Sequence, residues 1–344
     1  QGHSPYMRKS HPNWQISFPP GNSMTYYPSA TDQRDCFTVS STPTSVLKTP
    51  SRKLGVPLVL AAGIFWSTGG LIYRLIEEAT PWQVLLYRSG ALWLMLCLWL
   101  VIRYRLRTKQ IFIWAGLPAV IGGLCLSVAF TGFILAMEFT TVANALFILA
   151  AAPFFSALLG RILLSEPISR LTWVCMMVAA AGLAVMTGGE LALGRGLGEF
   201  FALTAALGFS GLAVSLRTRQ STDMLPAIFF ASLIAALFAA VGIVLTGSGL
   251  IVTPIDLVYS SSMGIFQVGA GFMLFTVGAR HLLAVELTLL SLTEIIAGPI
   301  LVWMFIGEIP SWGAFAGGFL ILGAIVAMAL LGASTTATGS RTPS

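Results

Sequence analysis

Charge is what this chain has least of. Only 9% of its 344 residues are Asp, Glu, Lys or Arg, and 56% are hydrophobic. A soluble domain carries about a quarter charged residues, so a water-facing globular surface is excluded. Histidine is nearly absent: His3 and His11 lie in the polar front segment, and His281 alone lies in the apolar part. One histidine there assembles no metal cluster, and no metal site is expected. Cys97, Cys125 and Cys175 sit within apolar runs and Cys36 outside them. Without C-x-x-C spacing they argue neither a zinc site nor a disulfide frame. H-E-x-x-H and Walker A patterns are missing too, and Gly194-x-Gly196-x-Gly198 follows no strand, so no nucleotide site and no cofactor are expected. The net charge of +6 does not form a nucleic-acid patch, because the cations are spread over short loops between apolar runs.

Residues 1–52 also lack any apolar run and are rich in Ser, Thr and Pro. Such a segment buries too little surface to offset its ordering entropy and is expected to be a disordered cytoplasmic tail. It has no signal-peptide h-region. The first residue is Gln rather than Met, which points to a fragment or an open start site.

What the chain does have is long hydrophobic runs. A helix needs about 20 residues to cross a bilayer core. Ten such runs are read at 55–76, 81–102, 113–137, 140–164, 169–188, 197–216, 225–246, 255–279, 285–306 and 311–332, with a disordered tail at 333–344. The fold class is therefore an all-α integral membrane protein of ten helices. Lys48, Arg52, Lys53, Arg103, Arg105, Arg107, Lys109, Arg161, Arg170, Arg217, Arg219, Arg280 and Arg341 all fall on one side when the N-terminus is inside. Only Arg74 and Arg195 fall on the other, so the positive-inside rule places both termini in the cytoplasm.

The runs also repeat. Glu166-Pro-Ile-Ser169 and Glu308-Ile-Pro-Ser311 both read E-x-x-S, about 142 residues apart. Phe65-Trp66-Ser67 precedes Arg74 as Gly208-Phe209-Ser210 precedes Arg217, at nearly the same offset. Five spans per copy is an odd number, so the second copy, 197–332, enters the membrane from the side opposite to the first, 55–188. Inverted repeats of this kind mark secondary transporters with a midplane site between the halves. Ser169 and Ser311 stand where a serine caps the helix it begins. Glu166 and Glu308 are expected to fix their hairpins.

Ionisable groups deep in a bilayer are costly, by about 2.5–3.5 kcal/mol on insertion scales, and face the bundle interior. Arg88 lies about 10 Å inside the second helix and Glu294 about 14 Å inside the ninth, by helix rise. Neither has an opposite charge nearby in its own helix, so each calls for a cross-helix partner. Both are expected to line the cavity, Arg88 attracting an anionic group and Glu294 carrying the coupling proton as a lone carboxylate in low dielectric. Trp66 is a candidate cavity wall because tryptophan away from the interface avoids lipid. Asn144 and Gln267 are further cavity candidates, with interhelical hydrogen bonding as the plainer role. Glu286 matches Asn144 at the start of a helix.

These residues resemble the drug/metabolite transporter superfamily, EamA type, over about 56–332. The features that carry the resemblance are the two E-x-x-S turns, each followed by a helix ending in small residues. Thr293-Glu294-Ile-Ile-Ala-Gly-Pro299 leading to Gly307-Glu308, the second-helix Arg88, and Ala136-Met137 before Thr141-Val-Ala-Asn144-Ala145 belong to it as well. The resemblance implies a ten-helix permease or exporter of small metabolites such as amino acids or drugs. Two features depart from the pattern. Pro153 has Ile295 as its counterpart, with Pro299 one turn on, and Arg88 has Ala231 as its counterpart.

The expected function is secondary active transport by alternating access at the inner (plasma) membrane, proton-coupled or exchange-driven. The expected partners are a small-molecule substrate, the lipid bilayer, no nucleic acid, and a homodimer as an open option. The rival reading is a channel or a non-transporting scaffold. Catalysis is not expected. Gly208-x-Ser210-Gly211 matches an intramembrane serine protease pattern, but its serine needs a histidine within reach. The candidate is His281 at the inner edge of the eighth helix, and Ser210 lies about seven residues deeper, roughly 10 Å by helix rise.

Overall fold

The computed structural model describes residues 52–104, 108–192, 196–218, 225–279, 281–282 and 284–338. The expected tail over residues 1–51 and the loop cations Arg105, Arg107, Arg195, Arg219 and Arg280 lie outside them, as does the side chain of Glu286. Every regular element among the described residues is helical. The helices are α1 (Arg52–Arg74), α2 (Pro81–Tyr104), α3 (Thr108–Phe139), α4 (Val142–Leu149), α5 (Ala152–Leu163), α6 (Arg170–Ala192), α7 (Leu197–Arg217), α8 (Leu225–Thr246) and α9 (Pro254–Ser262). A π-helical segment, Met263–Ala270, joins α9 to α10 (Gly271–Ala279), and α11 (Ala284–Ile306) and α12 (Trp312–Thr338) follow. The last helix thus continues past 333, where a tail was expected to begin; residues 339–344 lie outside the described set.

Eight helices, counting α4–α5 and α9–α10 as one each, are long and apolar enough to cross a membrane by length and composition. Among the described residues, two further apolar stretches, Arg170–Met186 and Leu290–Ile306, lie within α6 and α11, which are 23 residues long each. The outer faces suit lipid: Trp114, Leu245 and Phe319 are among many large apolar side chains left exposed. The chain is a multi-pass membrane protein.

Local chemistry explains the irregularities. The expected span at 113–137 begins inside α3, which is kinked where Gly116 takes φ 58° just before Pro118. Glycine and proline are the usual causes of such kinks. The expected span at 140–164 is broken into α4 and α5, because Pro153 offers no N–H to the turn before it. The expected span at 255–279 carries the π-helical segment, a device common at functional sites.

Packing follows paired relations. α3 lies along α7 and α8, α1 lies along α11 and α10, α2 crosses α8, and α6 pairs with α12. Close approach at one point sets the site: a Cβ on Gly264 would stand 2.1 Å from the Arg88 carbonyl oxygen. Only glycine lets the π-helical segment press against α2 there.

Candidate functional site

The helices line a cavity of about 400 Å³. Its wall is mostly apolar and aromatic, with Phe130 and Phe133 from α3, Phe209 from α7, and Phe272 and Phe275 from α10. Four of the sequence-derived candidates line it together: Trp66 from α1, Arg88 from α2, Gln267 from the π-helical segment and Glu294 from α11. Ionisable residues from two distant parts of the sequence thus line one cavity.

Arg88 is buried, and its Nε and Nη1 have no hydrogen-bond partner. Its guanidinium carbon lies 4.9 Å from the centroid of the Phe130 ring, a cation–π contact. The ring faces one side of the guanidinium and leaves its N–H edge unoccupied. Glu294 is half-buried and forms no hydrogen bond or ion pair with another described residue. The cross-helix partner that each of these two residues calls for is, for Arg88, the Phe130 ring, and neither forms an ion pair among the described residues. Both line the same cavity, yet neither meets a counter-charge among the described residues.

Trp66 packs its ring edge-on against Phe272 and at a tilt against Phe275, at centroid distances of 5.2 and 5.3 Å. Gly271 makes room, since a Cβ there would meet Trp66 Nε1 at 2.3 Å. Gln267 donates from Nε2 to the Trp66 carbonyl at 3.4 Å, and its buried Oε1 has no partner. One end of the amide is thus anchored and the other is an open acceptor.

Asn144 is placed elsewhere. It sits in the first turn of α4, where Thr141 caps the helix, and its Nδ2 donates to Thr140 Oγ1 at 3.1 Å and to Glu199 Oε1 at 3.3 Å. Its side chain joins α4 to α7 and does not line the cavity. The serines of the two E-x-x-S turns do cap: Thr172 N–H donates to Ser169 Oγ and Ala314 N–H to Ser311 Oγ, each at 3.1 Å. The glutamates reach farther than their own hairpins. Glu308 accepts from Arg74 Nε at 2.7 Å and from the Val142 N–H at 2.7 Å. Glu166 pairs with Arg217 Nη1 at 3.1 Å. Each turn is therefore tied to the other half of the sequence.

Sequence reasoning missed several residues. Asp256 is buried and accepts from the N–H groups of Glu77, Glu78 and Ala79, clamping the α1–α2 loop onto α9. Gln83 donates to the carbonyls of Ser248, Gly249 and Ile251. Ser210 donates to the Ala152 carbonyl at 2.8 Å, holding α7 to the break between α4 and α5 rather than facing a histidine. Their only sequence signal was polarity beside or within apolar runs, which names no partner.

This cage of aromatic walls around unpaired charges meets its comparison in known families. Residues 53–188 match the EamA-like transporter family. That stretch is an EamA-like transporter domain. One solved crystal structure is 17% identical to the chain, covers 83% of it and 99% of its own length, and superposes with TM-score 0.58, a likeness of fold alone. No curated protein matches the chain. The family that this stretch matches is one of membrane transporters.

Proposed function

We propose that the chain is a secondary active transporter that moves small metabolites, such as amino acids or drugs, across the inner (plasma) membrane by alternating access, in the export direction. The observation that carries this reading is the cavity itself, an apolar chamber where Arg88 and Glu294 both line the wall without forming an ion pair. Ligand sites are typically concave and apolar with a few placed polar groups that fix orientation. A buried guanidinium with a free N–H edge is an anion receptor, since such donors pair well with carboxylates. Glu294 is the proposed proton carrier, and Gln267 Oε1 the proposed acceptor for a donor on the solute.

The reading of two inverted halves, 55–188 and 197–332, with ten helices and both termini cytoplasmic, is supported by the exchanged ion pairs. Arg74 of the first half meets Glu308 of the second, and Arg217 of the second meets Glu166 of the first. With both termini inside, Arg74 and Glu308 fall on the outer face and Arg217 and Glu166 on the inner, so each pair joins residues assigned to the same side. Ser165 and Gly307, one residue before each glutamate, both take positive φ, at 56° and 78°.

The test is flux in reconstituted vesicles against a panel of amino acids and drugs. Saturable, gradient-driven flux that falls with Arg88→Gln supports the reading, whereas flux rising linearly with concentration makes the chain a channel. Full proton-driven flux in Glu294→Gln would remove Glu294 as the carrier.

A further inference from the structure

The central cavity has a neighbour. A second chamber of about 570 Å³ shares Ala152, Pro153, Phe209 and Ala213 with it, so the two adjoin across a common wall. The rest of its lining is more polar: Ser156, Ser169, Thr172 and Ser210, with Glu166 and Arg217. Ser156 is buried, and its Oγ has no partner. The Glu166 and Arg217 side chains are 44% and 47% exposed, so the chamber reaches the surface where they meet. The corresponding pair at the other end is built differently. Arg74 and Glu308 are 22% and 19% exposed, and Arg74 also donates to the carbonyls of Met137 and Thr140. That end is tied by a hydrogen-bonded cluster, and at this end a single ion pair lines the chamber.

We propose that the second chamber is a loading vestibule, a transit site that takes a small polar solute before the central cavity, and that the Arg217–Glu166 pair is its gate while Arg74–Glu308 holds the far end shut. This rests on the transporter reading above. The vestibule suits a solute with hydroxyl, carboxylate or ammonium groups. Serine and threonine hydroxyls both donate and accept, and the two members of the gate are opposite charges that can part to meet such groups. Phe209, which lines both chambers, is the partition the solute passes. Exchange of the single pair and the hydrogen-bonded cluster between the two ends would turn the protein inside out, because each pair bridges the two halves of the chain.

The experiment is thiol labelling of the full chain in detergent with a membrane-impermeant, charged methanethiosulfonate, the native cysteines being replaced by serine or alanine. Ser156→Cys is expected to react much faster than Ala143→Cys, which is buried near the Arg74–Glu308 end. Ala157→Cys, also in the vestibule lining, serves as a second reporter in case the first fails to fold. Glu166→Gln is expected to raise the Ser156→Cys rate about two- to fivefold, the scale that loss of a half-exposed ion pair allows. Equal rates at both ends would overturn the vestibule, and an unchanged rate in Glu166→Gln would overturn the gate. Labelling needs no substrate, so vesicles that show no flux while labelling holds would sink the transport reading and leave the open chamber standing.

Discussion

The front and rear halves of the chain furnish the central cavity with matching walls and unmatched charges. Trp66 and Phe209, Phe130 and Phe272, and Phe133 and Phe275 are each about 142 residues apart, the offset of the E-x-x-S turns, and every one of them lines the cavity. At the charged positions the correspondence fails. Arg88 has Ala231 as its counterpart, buried against α3 beside Gly123, and Glu294 has Ala152. Repeated apolar patterning thus builds a cage, and departures from the repeat give it a polarity with one cationic and one anionic wall. A symmetrical cage tolerates inversion of the two halves, whereas a single Arg and a single Glu hold a solute in one orientation.

The largest effect should come from breaking that polarity. Arg88→Gln is expected to lower flux about 10- to 100-fold, the loss of one charge-assisted bond to the solute, with Arg88→Lys retaining part of it. If moving the carboxylate to its counterpart, with Glu294→Ala and Ala152→Glu together, restored flux to the wild-type level, the asymmetry would be irrelevant to function.

Next comes the close contact behind Arg88. Gly264→Ala drives a Cβ into the Arg88 carbonyl, and overpacking of this kind costs about 1–3 kcal/mol. Gly123, facing Ala231 in the other half, meets a milder contact of 2.6 Å with Phe230 Cβ, so Gly123→Ala should destabilise less. Thermal unfolding in detergent ranks the two, and the reverse order would deny that the π-helical segment sets Arg88.

The ion pairs separate the two ends. Arg74→Ala strands Glu308 and two carbonyls in a partly buried setting and should cost about 1–3 kcal/mol. Arg217→Ala removes a half-exposed pair and should cost about 0–1 kcal/mol. Equal losses on denaturation would mean the two ends are equally closed. The smallest effect distinguishes the two turns. Ser165→Gly relieves a left-handed conformation that Gly307 adopts freely, and should stabilise by about 1 kcal/mol. No rise in melting temperature would place the strain elsewhere.

Much of the fold was legible because a bilayer imposes simple rules. Apolar runs marked the helices, and polar residues deep within them marked cavity positions: Arg88, Glu294, Trp66 and Gln267 share one lining. Asn144, a cavity candidate whose plainer role was interhelical hydrogen bonding, takes that plainer role. A first-turn asparagine beside Thr140 and Glu199 finds its partners across α7, and sequence polarity does not say which face it takes. The partner of Arg88 was likewise beyond the sequence, since a cation can rest over an aromatic ring that spacing does not reveal. The break between α4 and α5 was foreshadowed by Pro153, but the π-helical segment had no such marker.

The sequence by itself determined that this protein lives among lipids, where its helices run, and which few polar side chains need explaining, because hydrocarbon excludes charge position by position along a helix. Only the tertiary structure decided which of those side chains meet. Arg74 to Glu308 and Arg217 to Glu166 join residues far apart in the sequence. Such pairings depend on how helices cross and rotate, and that is set by small-residue contacts such as Gly264 on Arg88 rather than by any pattern within one run.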